Sequence, residues 1–304
     1  MRTKIVIGTR KSQLALRQTA IVVQALQRQF PDLTVEVAKI TTQGDRDRKS
    51  SLQKIGGKGV FVKAIEQQLL NGTIDLAVHS LKDVPPALPT GLALGAILKR
   101  ASPFDCLVTP LSLTQFSDLP QGARLGTNSS RRGANLRHLR PDLEIVPIRG
   151  NVETRLHQIE TQHLAGAILA EAGLDRLAID LGTYRRLSLR HVLLPAAGQG
   201  ALAVESRAND AALAPFLQAI NDPQTAACVG IEREFMAALG GTCSFPIGSY
   251  AFTNALGYRF KGFAAAADGQ HWFEVENNGP RPAGIGQTAG NILIDQGALN
   301  VIQP

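Results

Sequence analysis

Cysteine is scarce in this 304-residue chain, which has only Cys106, Cys228 and Cys243. Three scattered thiols, none in a CxxC or beside a histidine at metal-ligand spacing, argue against a disulfide framework and a metal site. The six histidines form no HExxH, so a zinc enzyme is not expected. Aromatic residues make up 5%, too few for the stacking platforms of a nucleic-acid groove. The net charge of +7 still suits an anionic partner, and small polyanions fit it better than nucleic acid. Long apolar runs are missing too. "MRTKIVIGTR" holds too short a run for a signal-peptide core, and the charge-free stretch from Phe235 to Tyr258 is broken by Gly240, Gly241, Ser244, Pro246 and Asn254. No membrane span is expected, and a cytoplasmic location is the default.

At 44% hydrophobic the chain can bury a sizeable core, and its length suggests two or three domains. "KIVIGT" reads as a strand, followed by Ser12 as an N-cap and a helix with apolar positions at Leu14, Ile21, Val22, Ala25, Leu26 and Phe30, ended by Pro31. Leu33, Val35 and Val37 alternate as a strand, and "TTQGDRDRKSSLQKIGGKG" is a polar, Gly-rich segment read as mobile. A helix from about 60 to 70 stops at Asn71-Gly72, "TIDLAVHS" is a strand, and "LKDVPPALPTG" is the loop that leaves it.

From about Pro103 the pattern starts again: "ARLGT" a strand, "RRGANLRHL" a helix, "EIVPIRG" a strand, "NVETRLHQIE" a helix, "AGAILAEAGL" a strand with its exit loop. Gly8-Thr9 and Gly126-Thr127 both stand at a strand end before a helix. After "AAGQGA", Asp222-Pro223 opens a helix to about Leu239. Strands near 246–253, 258–266 and 271–276 and a helix near 284–296 complete a smaller α+β domain. The fold class is therefore α/β, with two similar βαβ-type domains resembling periplasmic-binding-protein lobes and a C-terminal α+β domain.

In open α/β sheets, ligands bind outside the carboxyl ends of strands, where helix N-termini offer N–H groups to anions. Arg10 and Ser12 follow the first strand, Lys82 and Asp83 the third. Ser129, Arg131 and Arg132 follow "RLGT", Arg149 follows "EIVPI", Arg155 lies on the next helix, and Arg176 closes the loop after "AILAEAG". Such arginines match carboxylates, since guanidinium binds them through two parallel hydrogen bonds. Taken singly the features are open: Arg131-Arg132 reads equally as a solvated helix face, Asp83 as a turn residue before Pro85-Pro86, and Cys243 as a quiet buried thiol. "GGKG" at Gly56 to Gly59 lacks the GxxxxGK[ST] spacing and reads as a hinge. The architecture alone would also suit an organic-anion binding protein without catalysis, which needs neither Asp83 nor Cys243.

In their order, "KIGGKGVFVKAIE", "AVHSLKDVP", "GTNSSRR", "IRGNVETRL", "ILAEAGLDRL", "LPAAGQGAL" and "GGTCSFPIGSY" resemble the porphobilinogen deaminases (hydroxymethylbilane synthases) of tetrapyrrole synthesis, from Arg10 to about Tyr250. The resemblance implies an enzyme joining four porphobilinogen molecules head to tail with release of ammonia. The product is hydroxymethylbilane, built on a covalent dipyrromethane cofactor. It assigns the cofactor thioether to Cys243 and the catalytic acid to Asp83. Arg10, Ser12, Lys82, Ser129, Arg131, Arg132, Arg149, Arg155 and Arg176 would bind acetate and propionate groups, and Lys54, Lys58 and Phe61 belong to a loop that covers the active site. The expected partner is porphobilinogen, with no nucleic acid, membrane or metal, and the expected state is a monomer. With it, domain 1 covers 1–98 and 199–217, domain 2 covers 103–194, and domain 3 covers 220–304.

Two departures stand out. "GTNSSRR" replaces the family's GTSSLRR, with Asn128 for serine and Ser130 for leucine. Thr242 stands where a second glycine precedes the cysteine, and would strain the loop if that position needs a positive φ.

Overall fold

The computed structural model describes residues 2–42, 62–241 and 244–302. Its contacts divide the chain into two compact units, Met1–Ala101 with Ala201–Ala227 and Ser102–Gly200 with Cys228–Pro304.

The first unit is built on a five-stranded sheet in the order β2-β1-β3-β10-β4. Its strands are β1 (Lys4–Arg10), β2 (Thr34–Ile40), β3 (Leu76–Ser80), β4 (Leu92–Ile97) and β10 (Leu202–Arg207). β1 runs parallel to β2 and β3, while β10 is antiparallel to β3 and β4. Helix α1 (Gln13–Gln29) buries Val22 and Leu26, and α6 (Ala214–Ile220) buries Phe216 and Leu217, in one core with Ile5, Ile7 and Val78. Each such side chain contributes about 1.5–3 kcal/mol by leaving water. Helix α2 (Lys63–Leu70) covers the other face through Ile65 and Leu69, beside Ala77 and Ile74. It ends as the Asn71-Gly72 signal indicates, with Gly72 at φ +73°.

The second unit repeats the plan. Its sheet has the order β7-β6-β8-β5-β9, from β5 (Asp105–Thr109), β6 (Arg124–Gly126), β7 (Glu144–Val146), β8 (Gly166–Ala170) and β9 (Arg185–Ser188). β6 is parallel to β7 and β8, and β5 is antiparallel to β8 and β9. The two sheets thus correspond strand for strand, and the two Gly-Thr pairs occupy matching ends of β1 and β6. α3 (Ser130–Leu139), α4 (Val152–Thr161) and α5 (Glu171–Leu177) accompany this sheet. The reading of "AEAGL" as an exit loop is corrected: it forms the short helix α5. The same unit carries the antiparallel sheet β11 (Ile247–Asn254), β12 (Gly257–Ala265) and β13 (Trp272–Gly279). α7 (Pro223–Ala238) and α8 (Ile285–Asp295) pack on that sheet through Phe235, Phe260, Ala289 and Leu293.

Gly126 shows why the strand-end glycines are glycines. A Cβ there would lie 2.8 Å from Leu164 and 2.9–3.0 Å from Ile148, both buried. Gly126→Ala is expected to lower stability by about 1–3 kcal/mol through overpacking. Urea unfolding should show a lower midpoint at unchanged slope, and an unchanged midpoint would mean that the two side chains give way freely.

Candidate functional site

In the first unit, β1 and β3 are parallel and in register at Gly8 and Ala77, so Arg10 and the turn after Ser80 leave the same sheet edge. Ser12 caps α1 as expected, its hydroxyl accepting the Ala15 N–H at 3.3 Å. An N-cap hydroxyl that accepts through a lone pair keeps its own proton to donate outward. The 3₁₀ turn Leu81–Asp83 is pinned on both sides. Leu81 and Val84 are buried, the Leu81 N–H donates to Ala201 O (3.1 Å), and the Val84 N–H donates to Leu81 O (3.0 Å). Lys82 is thereby left half-buried and Asp83 exposed. Behind the turn, Gln18 donates to Ser80 Oγ (2.8 Å), and buried His79 meets buried Glu205 at 3.0 Å. Nearby Glu66 has its carboxyl pushed up, by burial first and by the Glu205 charge second.

In the second unit, β6 runs parallel to both β7 and β8, so the segments after all three leave one edge. Ser129 caps α3 by accepting the Arg132 N–H (3.4 Å). Asn128 is exposed and Ser130 is the first residue of α3. The far end of α3 is held by the third sheet, where Arg137 donates to Ala267 O (2.9 Å) and His138 stacks on Trp272 at 4.3 Å. The backbone at Arg149 is clamped by Gln158, which accepts the Arg149 N–H (3.0 Å) and donates to Arg149 O (2.9 Å). Arg155 Nε donates to Gly150 O (3.0 Å), and Gly150 sits at φ +102°. Arg176 Nη2 donates to Gly200 O (2.7 Å).

Arg131 and Arg132 are not a solvated face. They are 4% and 6% exposed and share one carboxylate, that of Asp105, which has no exposure at all. Arg131 Nη2 donates to Asp105 Oδ2 (2.8 Å) and Arg132 Nη2 to Oδ1 (2.7 Å). Their Nη1 groups donate to Leu194 O (2.6 Å) and Ile168 O (2.9 Å). Burial raises the Asp105 carboxyl, but the charges of Arg131 and Arg132 outweigh it and hold the acid well below the usual carboxylate range. Arg131 moves down as well, because burial penalises its charge more than the shared carboxylate supports it. One acid therefore serves two bases, and the cluster keeps one positive charge in excess. The Nε atoms of Arg131, Arg132 and Arg176 are buried with no hydrogen-bond partner. Burial also lowers Arg176. Such a set is short of an anion, and a carboxylate is the anion that its donors match.

Asp105 escaped the sequence reading, although an acid heading the apolar run "DCLVT" was a signal. Gln199 escaped as well. Its amide nitrogen donates to Asp105 Oδ1 (2.9 Å) and to Pro103 O (2.7 Å). Lys54, Lys58 and Phe61, and Cys243 with Thr242, lie outside the described residues. Of the glycines before them, Gly240 takes the positive φ (+62°) and Gly241 does not. The other two thiols are buried, and burial pushes Cys106 up to about 12. Among the described residues, no group of acids, histidines and cysteines could hold a metal ion, and no helix is long and apolar enough to cross a membrane.

Two family models match the chain, "Porphobilinogen deaminase, dipyromethane cofactor binding domain" over residues 5–215 and "Porphobilinogen deaminase, C-terminal domain" over 226–295. A porphobilinogen deaminase of Limosilactobacillus reuteri is 50% identical over 100% of this chain and 99% of its own length. One of Listeria welshimeri is 43% identical over 100% and 98%. Among solved structures, a methionine-binding protein is similar over 74% of this chain and 92% of its own, at 12% identity and a TM-score of 0.40.

Proposed function

The chain belongs to the porphobilinogen deaminase family, and from that membership we propose how its residues share the work. It is a transferase of tetrapyrrole synthesis that joins porphobilinogen molecules head to tail into hydroxymethylbilane, releasing ammonia, on a dipyrromethane cofactor. When bound, that cofactor supplies the primer on which the chain grows. The donor set fits it: each pyrrole brings two carboxylates, and the buried Arg131, Arg132 and Asp105 cluster is one anion short with two N–H groups unpartnered. This observation carries the reading.

Ser129, Arg131, Arg132, Arg149, Arg155 and Arg176 bind acetate and propionate groups from the second unit, and Arg10, Ser12 and Lys82 do so from the first. Supporting this, each group of segments leaves the carboxyl-end edge of its own sheet. Asp83 acts beside the pyrrole N–H, where its carboxylate stabilises the positive charge left on substrate by loss of ammonia and passes protons. Its exposed place on a turn held by other residues supports a role other than folding. Lys54, Lys58 and Phe61 cover the site. Cys243 is the cofactor anchor, a role favoured by the burial of Cys106 and Cys228. The enzyme works as a cytoplasmic monomer with no nucleic-acid partner. We propose a three-domain division, 1–98 with 199–217, 103–194 and 220–304; the three separate sheets support it, and the family models, which divide between 215 and 226, support the start of the last domain.

Intact mass tests the reading. Purified protein is expected to carry two linked pyrrole units and to colour with an acidic aldehyde reagent. An unmodified mass that persists after incubation with porphobilinogen or preformed hydroxymethylbilane would count against it. A thiol titration on native protein adds a separate check. At pH 8 the cofactor-free chain should show one fast thiol and the loaded chain none, because Cys106 and Cys228 are buried and burial pushes Cys106 up to about 12. Rapid labelling of Cys106 or Cys228 instead would undo the assignment of the anchor.

A further inference from the structure

We propose that Asp105 and Gln199 are positioning residues for carboxylate capture, holding Arg131 and Arg132 as a preformed fork with one positive charge to spare. This rests on the functional reading above. An acid in a site for acids looks counterproductive, since removing it would raise the positive charge. Two guanidiniums that reach the same pair of oxygens repel each other, however, and without a counterion they would splay toward water. Asp105 takes one Nη from each arginine, and the carbonyls of Leu194 and Ile168 take the other. Both side chains are thus fixed from two sides while the Nε–H groups stay unpartnered. The two guanidiniums are thus placed before a carboxylate arrives, which is where preorganised sites gain affinity.

Gln199 fixes the acid in turn. It is 1% exposed, and its amide ties Asp105 Oδ1 to Pro103 O, the latter just ahead of β5. Its neighbours hold it in place: Gly198, at φ +70°, donates its N–H to buried Glu232 (2.7 Å), and Gly200, at φ +86°, gives its carbonyl to Arg176. The segment Leu194–Gly200, most of the "LPAAGQGAL" motif, therefore contacts Arg131 and Arg176 directly and both members of the Arg131-Arg132 pair through Asp105.

The test uses full-length chain expressed without cofactor, with Asp105→Asn and Gln199→Ala compared with wild type. Folded Gln199→Ala should take up porphobilinogen about ten-fold less efficiently, because a hydrogen bond to a charged group is lost. The loss should appear in the concentration needed and not in the maximal loading rate. Asp105→Asn should lose more. A second readout follows the arginines themselves by ¹⁵N NMR. Slowly exchanging Nε–H signals, assigned with Arg131→Lys and Arg132→Lys, should broaden or vanish in both variants, which a purely structural role elsewhere would not cause. Wild-type loading and unchanged Nε–H signals in a folded variant would overturn the proposal, as would slow loading with unchanged signals. If Asp105→Asn does not fold, Gln199→Ala decides. If wild type itself takes up no pyrrole, the functional reading fails and the NMR signals alone decide this proposal.

Discussion

Cys243→Ser is expected to give a folded protein that carries no covalent pyrrole and makes no hydroxymethylbilane. Thioether formation needs a sulfur nucleophile, and a serine hydroxyl is far harder to ionise than a thiol. No other thiol can take over. Cys106 has no exposure and is pushed up to about 12 by burial, while Cys228 is 6% exposed within the core of the third sheet. Exchanging sulfur for oxygen nearly conserves the size of the side chain, so the fold is expected to persist. Intact mass reads the loading, near-UV circular dichroism the fold, and product formation the activity. A Cys243→Ser protein that still carries pyrrole mass would move the anchor elsewhere.

Asp83→Asn separates catalysis from anchoring. The substitution keeps shape and hydrogen-bonding reach and removes the charge, so the protein should fold and load while elongation collapses. Losing a positioned acid and charge stabiliser costs on the order of 10²–10⁴ in rate. The structure makes this a clean experiment, since the turn is held by buried Leu81 and Val84 and by backbone hydrogen bonds to Ala201 and Leu81. Stability should therefore stay near wild type. Near-normal turnover would show that Asp83 is only a turn residue, and a large loss of stability would show that its role is in the fold.

The helices α1, α7 and α8 and the three C-terminal strands were legible because each carries its own signal over eight or more residues: a cap, a period, a glycine or proline stop. β4, β5, β9 and β10 were not read as strands. They have four to six residues, and their partners are antiparallel strands distant in sequence, so nothing local marks them. The short helix α5 was hidden for a related reason, since seven residues directly after an apolar strand show no separate period.

By itself the sequence determined the local elements, the repeated strand-to-helix plan, the positions of the cations at strand ends and, through its ordered motifs, the family. Only the tertiary structure decided which of those charges are buried and what they face. Arg131 and Arg132 read as well for a solvated helix face until β5 brought Asp105 against them from 26 and 27 positions away, and Gln199 joined from 94. Propensity and periodicity act over a turn or a few residues and can be read along the chain. Desolvation and charge pairing depend on which distant segments the sheet order makes neighbours, and that order is settled by packing.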